Sequence, residues 1–165
     1  MKIGLLSDTH DYLDDQILRH LSDRDEIWHA GDFGSARVAE QLREVAPLRG
    51  VFGNIDGQDI RQLYPKVLRF EVEGMDVMMT HIGGYPGKYH PDVRNEIRTN
   101  PPQLYVTGHS HILKIMPDKS LGSLLHINPG AAGRHGFHKV RTMVRFAIEA
   151  GQLRELQVIE LGKRA

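Results

Sequence analysis

Five short polar clusters carry side chains of metal-binding type: SDTH at 7–10, GD at 31–32, GNID at 53–56, TH at 80–81 and TGHSH at 107–111. Between them they supply Asp8, His10, Asp32, Asn54, His81, His109 and His111. That set is two carboxylates, four imidazoles and one amide oxygen. Mixed nitrogen and oxygen donors suit first-row divalent ions such as Mn, Fe, Ni and Zn better than Ca or Mg. Seven donors are too many for one tetrahedral site. Two ions sharing a bridging carboxylate would use them all and leave positions open for water and substrate. Two-metal centres with ions roughly 3.5–4 Å apart are the usual device for in-line displacement at phosphorus.

Each cluster also has an ordinary local explanation. Asp8 and Asp32 stand where they could cap helices beginning near Leu13 and Ser35. Asn54 beside Gly53 reads as a turn residue, and His81 as a histidine at a strand end. What outweighs these readings is their common setting, because every cluster directly follows a short apolar run.

The runs are IGLL (3–6), EIWHA (26–30), LRGVF (48–52), MDVMM (75–79), QLYV (103–106) and LLHI (124–127). Each is strand-length and bounded by Gly, Pro, Asp or Asn. Helical spacing over 13–22 and 35–46, the latter behind Ser35 as N-cap, predicts helices between the first three strands and hence parallel pairing there. Runs 139–148 and 153–161 around EAGQ predict an antiparallel hairpin. In an open α/β sheet ligands bind beyond the carboxyl ends of the strands, which would bring the seven side chains to one edge. In GHSH, an extended backbone would put both imidazoles on one face.

D-x-H, G-D, G-N, a lone His and G-H-x-H, in this order at strand ends, resemble the calcineurin-like metallophosphoesterase superfamily. The short chain and the GHSH…INPG ending resemble its small bacterial YfcE-like phosphodiesterase group, over Lys2 to Gly130. The resemblance implies an α/β fold, a sandwich of two β-sheets flanked by helices. It implies two divalent ions per chain, Mn foremost, with Ni, Fe or Zn as alternatives. Asp8, His10 and His111 would hold one ion and Asn54, His81 and His109 the other, with Asp32 bridging. Asp32, Asn54 and His10 would then take part in catalysis, and the implied reaction is phosphodiester hydrolysis by in-line attack of a metal-bound hydroxide.

Two positions depart from the family pattern. Ile55 stands where many members have a histidine near the leaving group, which removes general-acid help typically worth ~10²–10⁴-fold. Ala131 follows NPG where related chains often have Ser, which could alter a substrate contact. The rival reading is a binding scaffold like the metallophosphoesterase-like subunit of the retromer coat, which also lacks that histidine. All seven ligand positions being of metal-binding type favours catalysis.

With 165 residues the chain suits one domain over 1–165, burying roughly two thirds of its unfolded surface. It has no cysteine, which excludes disulfides, thiolate zinc and Cys nucleophiles. Lys plus Arg equals Asp plus Glu at 21 each, which argues against nucleic acid as a partner, and the resemblance implies a small phosphate-ester substrate instead. Only four residues separate Lys2 from Ser7, too few for a signal-peptide core, and no run reaches membrane length. The expectation is a cytoplasmic protein without membrane contact, with a homodimer or higher homo-oligomer implied by resemblance.

Candidate substrate contacts are Tyr85, Lys88 and Tyr89 in HIGGYPGKYH, and Arg134 and His135 in GRHGFHKVR. The latter stretch otherwise reads as a solvated loop leading to exposed Arg141 and Arg145. His20 reads as a surface residue, and His29 and His126 as structural. Asp56 would either shape its loop or orient a neighbouring ligand.

Overall fold

The computed structural model describes residues 1–165. In chain order its elements are β1 (Lys2–Leu6), α1 (Asp15–Leu21), β2 (Glu26–His29), α2 (Ala36–Val45), β3 (Leu48–Gly50) and α3 (Gln58–Arg61). Then come β4 (Val67–Val72), β5 (Met75–Thr80), a small hairpin of β6 (Gly84–Tyr85) and β7 (Lys88–Tyr89), and α4 (Pro91–Thr99). The rest is β8 (Leu104–Val106), β9 (Leu113–Asp118), β10 (Leu124–Pro129), β11 (Val140–Glu149) and β12 (Gln152–Lys163).

Two five-stranded sheets form, in the orders β12-β11-β1-β2-β3 and β4-β5-β8-β10-β9. β1, β2 and β3 pair in parallel, as the intervening helices require. β11 and β12 form the long antiparallel hairpin. Its turn places Ala150 and Gly151 at φ 48° and 73°, the left-handed pair that a two-residue turn needs to match strand twist.

Alternation along the strands divides the apolar residues into layers. Ile3, Leu5, Trp28, Val144 and Phe146 of the first sheet meet Val77, Met79, Val106 and Ile127 of the second in the inter-sheet core. Trp28 lies edge-on to Phe70 and Phe146, with ring centroids 5.1 and 5.5 Å away, and donates Nε1–H to Glu26. The outer face of the first sheet carries Ile27 and Met143 against Ile17 and Leu21 of α1 and Val38 and Leu42 of α2. On the outer face of the second, Met78 and Tyr105 meet Val93 and Ile97 of α4. The architecture is therefore a sandwich of two β-sheets flanked by helices.

Local differences from the sequence reading have physical causes. Asp14, not Asp8, caps α1, accepting from the Ile17 N–H at 2.9 Å. Ser35 precedes α2 but gives its hydroxyl to Asp11, and the Asp59 carboxylate takes the Ala36 N–H at 2.9 Å instead. Arg141 is buried rather than exposed. A register shift between Val140 and Thr142 turns it inward, where it bonds Asp14 at 2.9 Å and the carbonyls of Ala132 and Leu161. Arg145 is half-buried and pairs with Asp23.

His126 on β10 is 1% exposed, and its pKa is pushed down from 6.5 to about 4, first by burial and second by Lys114. The folded chain keeps this imidazole neutral, whereas the unfolded chain protonates it near pH 6.5. Above that pH the two states match. Below it the unfolded state takes up the proton first, so stability falls as pH drops from 6.5 to about 4 and then levels off. The loss over this window is about 3 kcal/mol. In urea titrations a His126→Asn variant should lose less stability than the native chain across that window, by roughly this amount. Parallel pH profiles for the two proteins would refute the coupling.

Candidate metal centre

The seven residues converge beyond the carboxyl ends of β1, β2, β3, β5 and β8. These strands belong to two sheets, not one, so the site lies where the sandwich edges meet. Backbone hydrogen bonds lock the loops together: Asp8 N–H to Gly31 O at 2.9 Å, His10 N–H to Asp32 O at 3.1 Å, and Gly108 N–H to His81 O at 3.0 Å. Nine non-glycine residues have positive φ, and five of them are Asp8, His10, Asp32, His109 and His111. Left-handed backbone costs ~1–2 kcal/mol per residue, least for short polar side chains. Its concentration here is strain held by the site. GHSH is thus not extended, as its sequence suggested; both of its histidines are left-handed.

The polar atoms gather tightly. His111 Nε2 lies 3.1 Å from Asp8 Oδ1, and His10 Nε2 and His81 Nε2 lie 3.4 and 3.3 Å from Asp32 Oδ2. Asn54 Oδ1 is 3.1 Å from His81 Nε2 and 3.0 Å from His109 Nδ1. Two groups have ligand atoms within 4.8 Å of one another: Asp8, His10 and His111, and Asp8, Asp32 and His81. Asp8 belongs to both because its Oδ1 also lies 3.8 Å from His81 Nε2.

The hydrogen bonds around the imidazoles aim particular nitrogens inward. His81 Nδ1 lies 2.7 Å from the Ala30 carbonyl and so carries the proton, which turns Nε2 toward the carboxylates. His138 Nε2 donates to Gly133 O at 2.9 Å, leaving its Nδ1 to accept from His111 Nδ1 at 3.3 Å. His111 Nε2 therefore faces Asp8 with its lone pair. Histidine ligands typically donate their second ring N–H to a carbonyl or similar acceptor, which fixes the tautomer.

Charge is distributed to match. Burial pushes the Asp8 pKa up, but the close approach of His111 and the charge of His81 outweigh it, so the group sits below the usual carboxylate range. Asp32 behaves likewise, with His81 opposing burial. Burial lowers His81, yet contact with Asp32 and Asp8 raises it overall. Burial dominates at His10 and His109 and lowers both. Asp8 Oδ1 and His10 Nε2 are buried without a hydrogen-bond partner. Two buried, unpartnered atoms of metal-ligand type fit a divalent cation.

The glycines of G-N and G-H have steric work. A Cβ on Gly53 would collide with the Asp32 carboxylate, and one on Gly108 with Ser7 Oγ and Asp8. Each is the point where the loop of one candidate ligand passes the side chain of another.

Several supporting residues carried little sequence signal. Asp56, 3% exposed, accepts N–H groups from Gly53 at 2.8 Å, Gly34 at 2.9 Å and Phe33 at 3.2 Å, tying the loop of Asn54 to that of Asp32. Ser7 donates to Asp8 Oδ2 at 2.6 Å. Asn128 of NPG donates to Gly108 O at 2.8 Å and holds the GHSH loop. His29 is buried and bonds Thr9, and His20 is half-buried on α1. Ala131 is fully buried, so a hydroxyl there would face the interior rather than a substrate.

A cleft of about 440 Å³ opens over the cluster, lined by His10, Asp32, Asn54, His109, His111 and His135 among others. His135 lies against His10 with centroids 4.7 Å apart and the rings tilted by 34°. Ile55, Ile112 and Phe137 form an exposed apolar rim. Arg134 is not part of this lining; its guanidinium lies 4.5 Å over the Tyr12 ring. Tyr85 and Lys88 line a neighbouring cleft, while Tyr89 is buried and spends its hydroxyl on Asp118 at 2.6 Å.

The model of the calcineurin-like phosphoesterase superfamily domain matches residues 1–151. A probable metallophosphoesterase of Methanothermobacter thermautotrophicus is 28% identical over 79% of this chain and 77% of its own. A phosphodiesterase of Methanocaldococcus jannaschii is 25% identical over 79% of this chain and 83% of its own. Among solved structures, an archaeal phosphodiesterase superposes with TM-score 0.77 at 23% identity, covering 98% of this chain and 100% of the other. Vps29 from Entamoeba histolytica superposes with TM-score 0.75 at 16% identity, covering 97% and 99%, and that structure is a complex with zinc. No helix is long and apolar enough to cross a membrane. The chain belongs to the calcineurin-like phosphoesterase superfamily.

Proposed function

We propose that the chain is a dimetal phosphodiesterase. The observation that carries this reading is the buried, unpartnered Asp8 Oδ1 at the focus of inward-turned histidine nitrogens. Asp8, His10 and His111 would hold one ion and Asn54, His81 and His109 the other, with Asp32 shared. When bound, two divalent ions, Mn²⁺ foremost, would supply Lewis acidity at phosphorus and acidify a water molecule. The chain's own part is to hold these donors rigid, to keep Asp8 and Asp32 ionised and to wall the cleft. His135, which lines the cleft beside His10, would contact a non-bridging oxygen of the ester.

In the reaction water forms a bond to phosphorus and the bond to one ester oxygen breaks, giving a phosphomonoester, an alcohol or phenol and a proton. Ile55 lines the cleft where a proton donor to the leaving oxygen would be useful and cannot act as one. Esters with acidic leaving groups are therefore the better substrates. The apolar rim suits an organic substituent over bare phosphate.

Chelator-stripped protein should hydrolyse bis(p-nitrophenyl) phosphate only after Mn²⁺ is restored, with two equivalents bound. Folded, metal-loaded protein inert with each of Mn²⁺, Ni²⁺, Fe²⁺ and Zn²⁺ would overturn the proposal and leave a scaffolding role as the better account.

A further inference from the structure

We infer that the cleft beside the ligand cluster is a second anion site, which takes a phosphate group borne by one arm of the phosphodiester. This deepens the phosphodiesterase reading and rests on it. The cleft has a volume of about 460 Å³ and shares His109 and Ser110 with the cleft over the candidate metal centre, so one molecule can occupy both. That volume lies within the range that holds small organic ligands.

Its charge is one-sided. Lys88, Arg94 and Lys114 line it, and no Asp or Glu does. Seven other cationic residues of the chain are paired with carboxylates, whereas none of these three is. Lys114 instead places its ammonium 3.8 Å over the Tyr85 ring, an arrangement that orders the side chain without neutralising it. Three cations around one concavity repel one another, and an anion between them removes that repulsion. A phosphate group offers the charge and the several acceptor oxygens that Lys and Arg donors use best.

A buried atom points the same way. His126 forms part of the cleft wall and is 1% exposed; its Nε2 is engaged with Thr107 at 2.8 Å, and its Nδ1 has no partner. A buried ring nitrogen without a partner is costly unless something meets it. The first turn of α4 completes the wall with His90, Pro91 and Arg94.

The test uses a matched pair of esters: thymidine 5′-(p-nitrophenyl phosphate) and the same compound with a 3′-phosphate. The reacting diester and leaving group are identical, so the ratio of kcat/KM reports only the added anion. The native Mn²⁺-loaded protein should prefer the phosphorylated ester by at least about tenfold. In an Arg94→Gln/Lys114→Gln double variant the ratio should fall close to one, while Lys163→Gln, an exposed lysine outside the cleft, keeps the native ratio. In a second arm, inorganic phosphate should bind the chelator-stripped native protein in calorimetry and bind the double variant at least about tenfold more weakly. The inference is overturned by a native ratio near one, by an unchanged ratio in the folded double variant, or by equal phosphate binding in the two proteins. If the metal-loaded protein hydrolyses neither ester, the phosphodiesterase reading has failed, and the calorimetric arm alone decides whether the cleft is an anion site.

Discussion

Asp32→Asn is expected to abolish phosphodiester turnover, by at least ~10³-fold, while leaving the metal-free fold close to native. The carboxylate faces two ways. Oδ1 accepts the Ile55 N–H at 3.1 Å, and Oδ2 looks toward His10 and His81 at 3.4 and 3.3 Å. An Asn side chain has nearly the same volume and keeps its oxygen on Ile55. Its NH₂ group then points to where the imidazole nitrogens converge, so a donor replaces the oxygen that would be shared between the ions. Loss of a residue that merely orients a metal ligand costs ~10–100-fold, and loss of the ligand joining two ions should cost more. Metal content should drop below two equivalents per chain. The His81 pKa should also fall, because after burial the contact with Asp32 is the main influence on it, and that influence raises it. Metal content and turnover measured side by side decide the matter. A variant that retains two tightly bound ions and native turnover would show that Asp32 does not join the two ions.

Asp56→Ala is expected to cost both stability and metal affinity, and it separates the two roles its position allows. Removing the carboxylate strands the N–H groups of Phe33, Gly34 and Gly53. A buried donor left unpaired costs ~1–3 kcal/mol, so even with partial entry of water the loss should reach about 3 kcal/mol in urea unfolding of the metal-free protein. These three N–H groups lie on the loops that carry Asp32 and Asn54, so metal affinity should fall ~10–100-fold as well. Asp56→Asn keeps one acceptor oxygen and should fall between. Lost stability with unchanged metal affinity would make Asp56 a loop-shaping residue alone.

Much of this could be read along the chain. Strands β1, β2, β5, β8 and β10 show as short apolar runs because they are buried on both faces, and the β11–β12 hairpin shows through its alternation. Other elements escaped for physical reasons. β9 contains Pro117, which a sequence argument counts against a strand; it is tolerated because β9 is an edge strand. β4 is the opposite edge and mostly half-buried, so its pattern is weak. α4 buries only Val93 and Ile97, too few to announce a helix.

What the sequence by itself determined is which side chains stand at the strand ends, and in what order, because donor type belongs to the residue and the strand positions follow from local hydrophobic pattern. Tertiary structure decided that the site lies between two sheets rather than at the edge of one. It decided which ring nitrogen of His81 and His111 faces inward, through Ala30 and His138. It turned Arg141 inward onto Asp14, 127 residues away, and brought the His109 N–H to Asp8 across 101 residues. It also gathered Lys88, Arg94 and Lys114 around one concavity without a carboxylate. Tautomer, burial and local charge come from contacts between distant segments, and no local pattern encodes them.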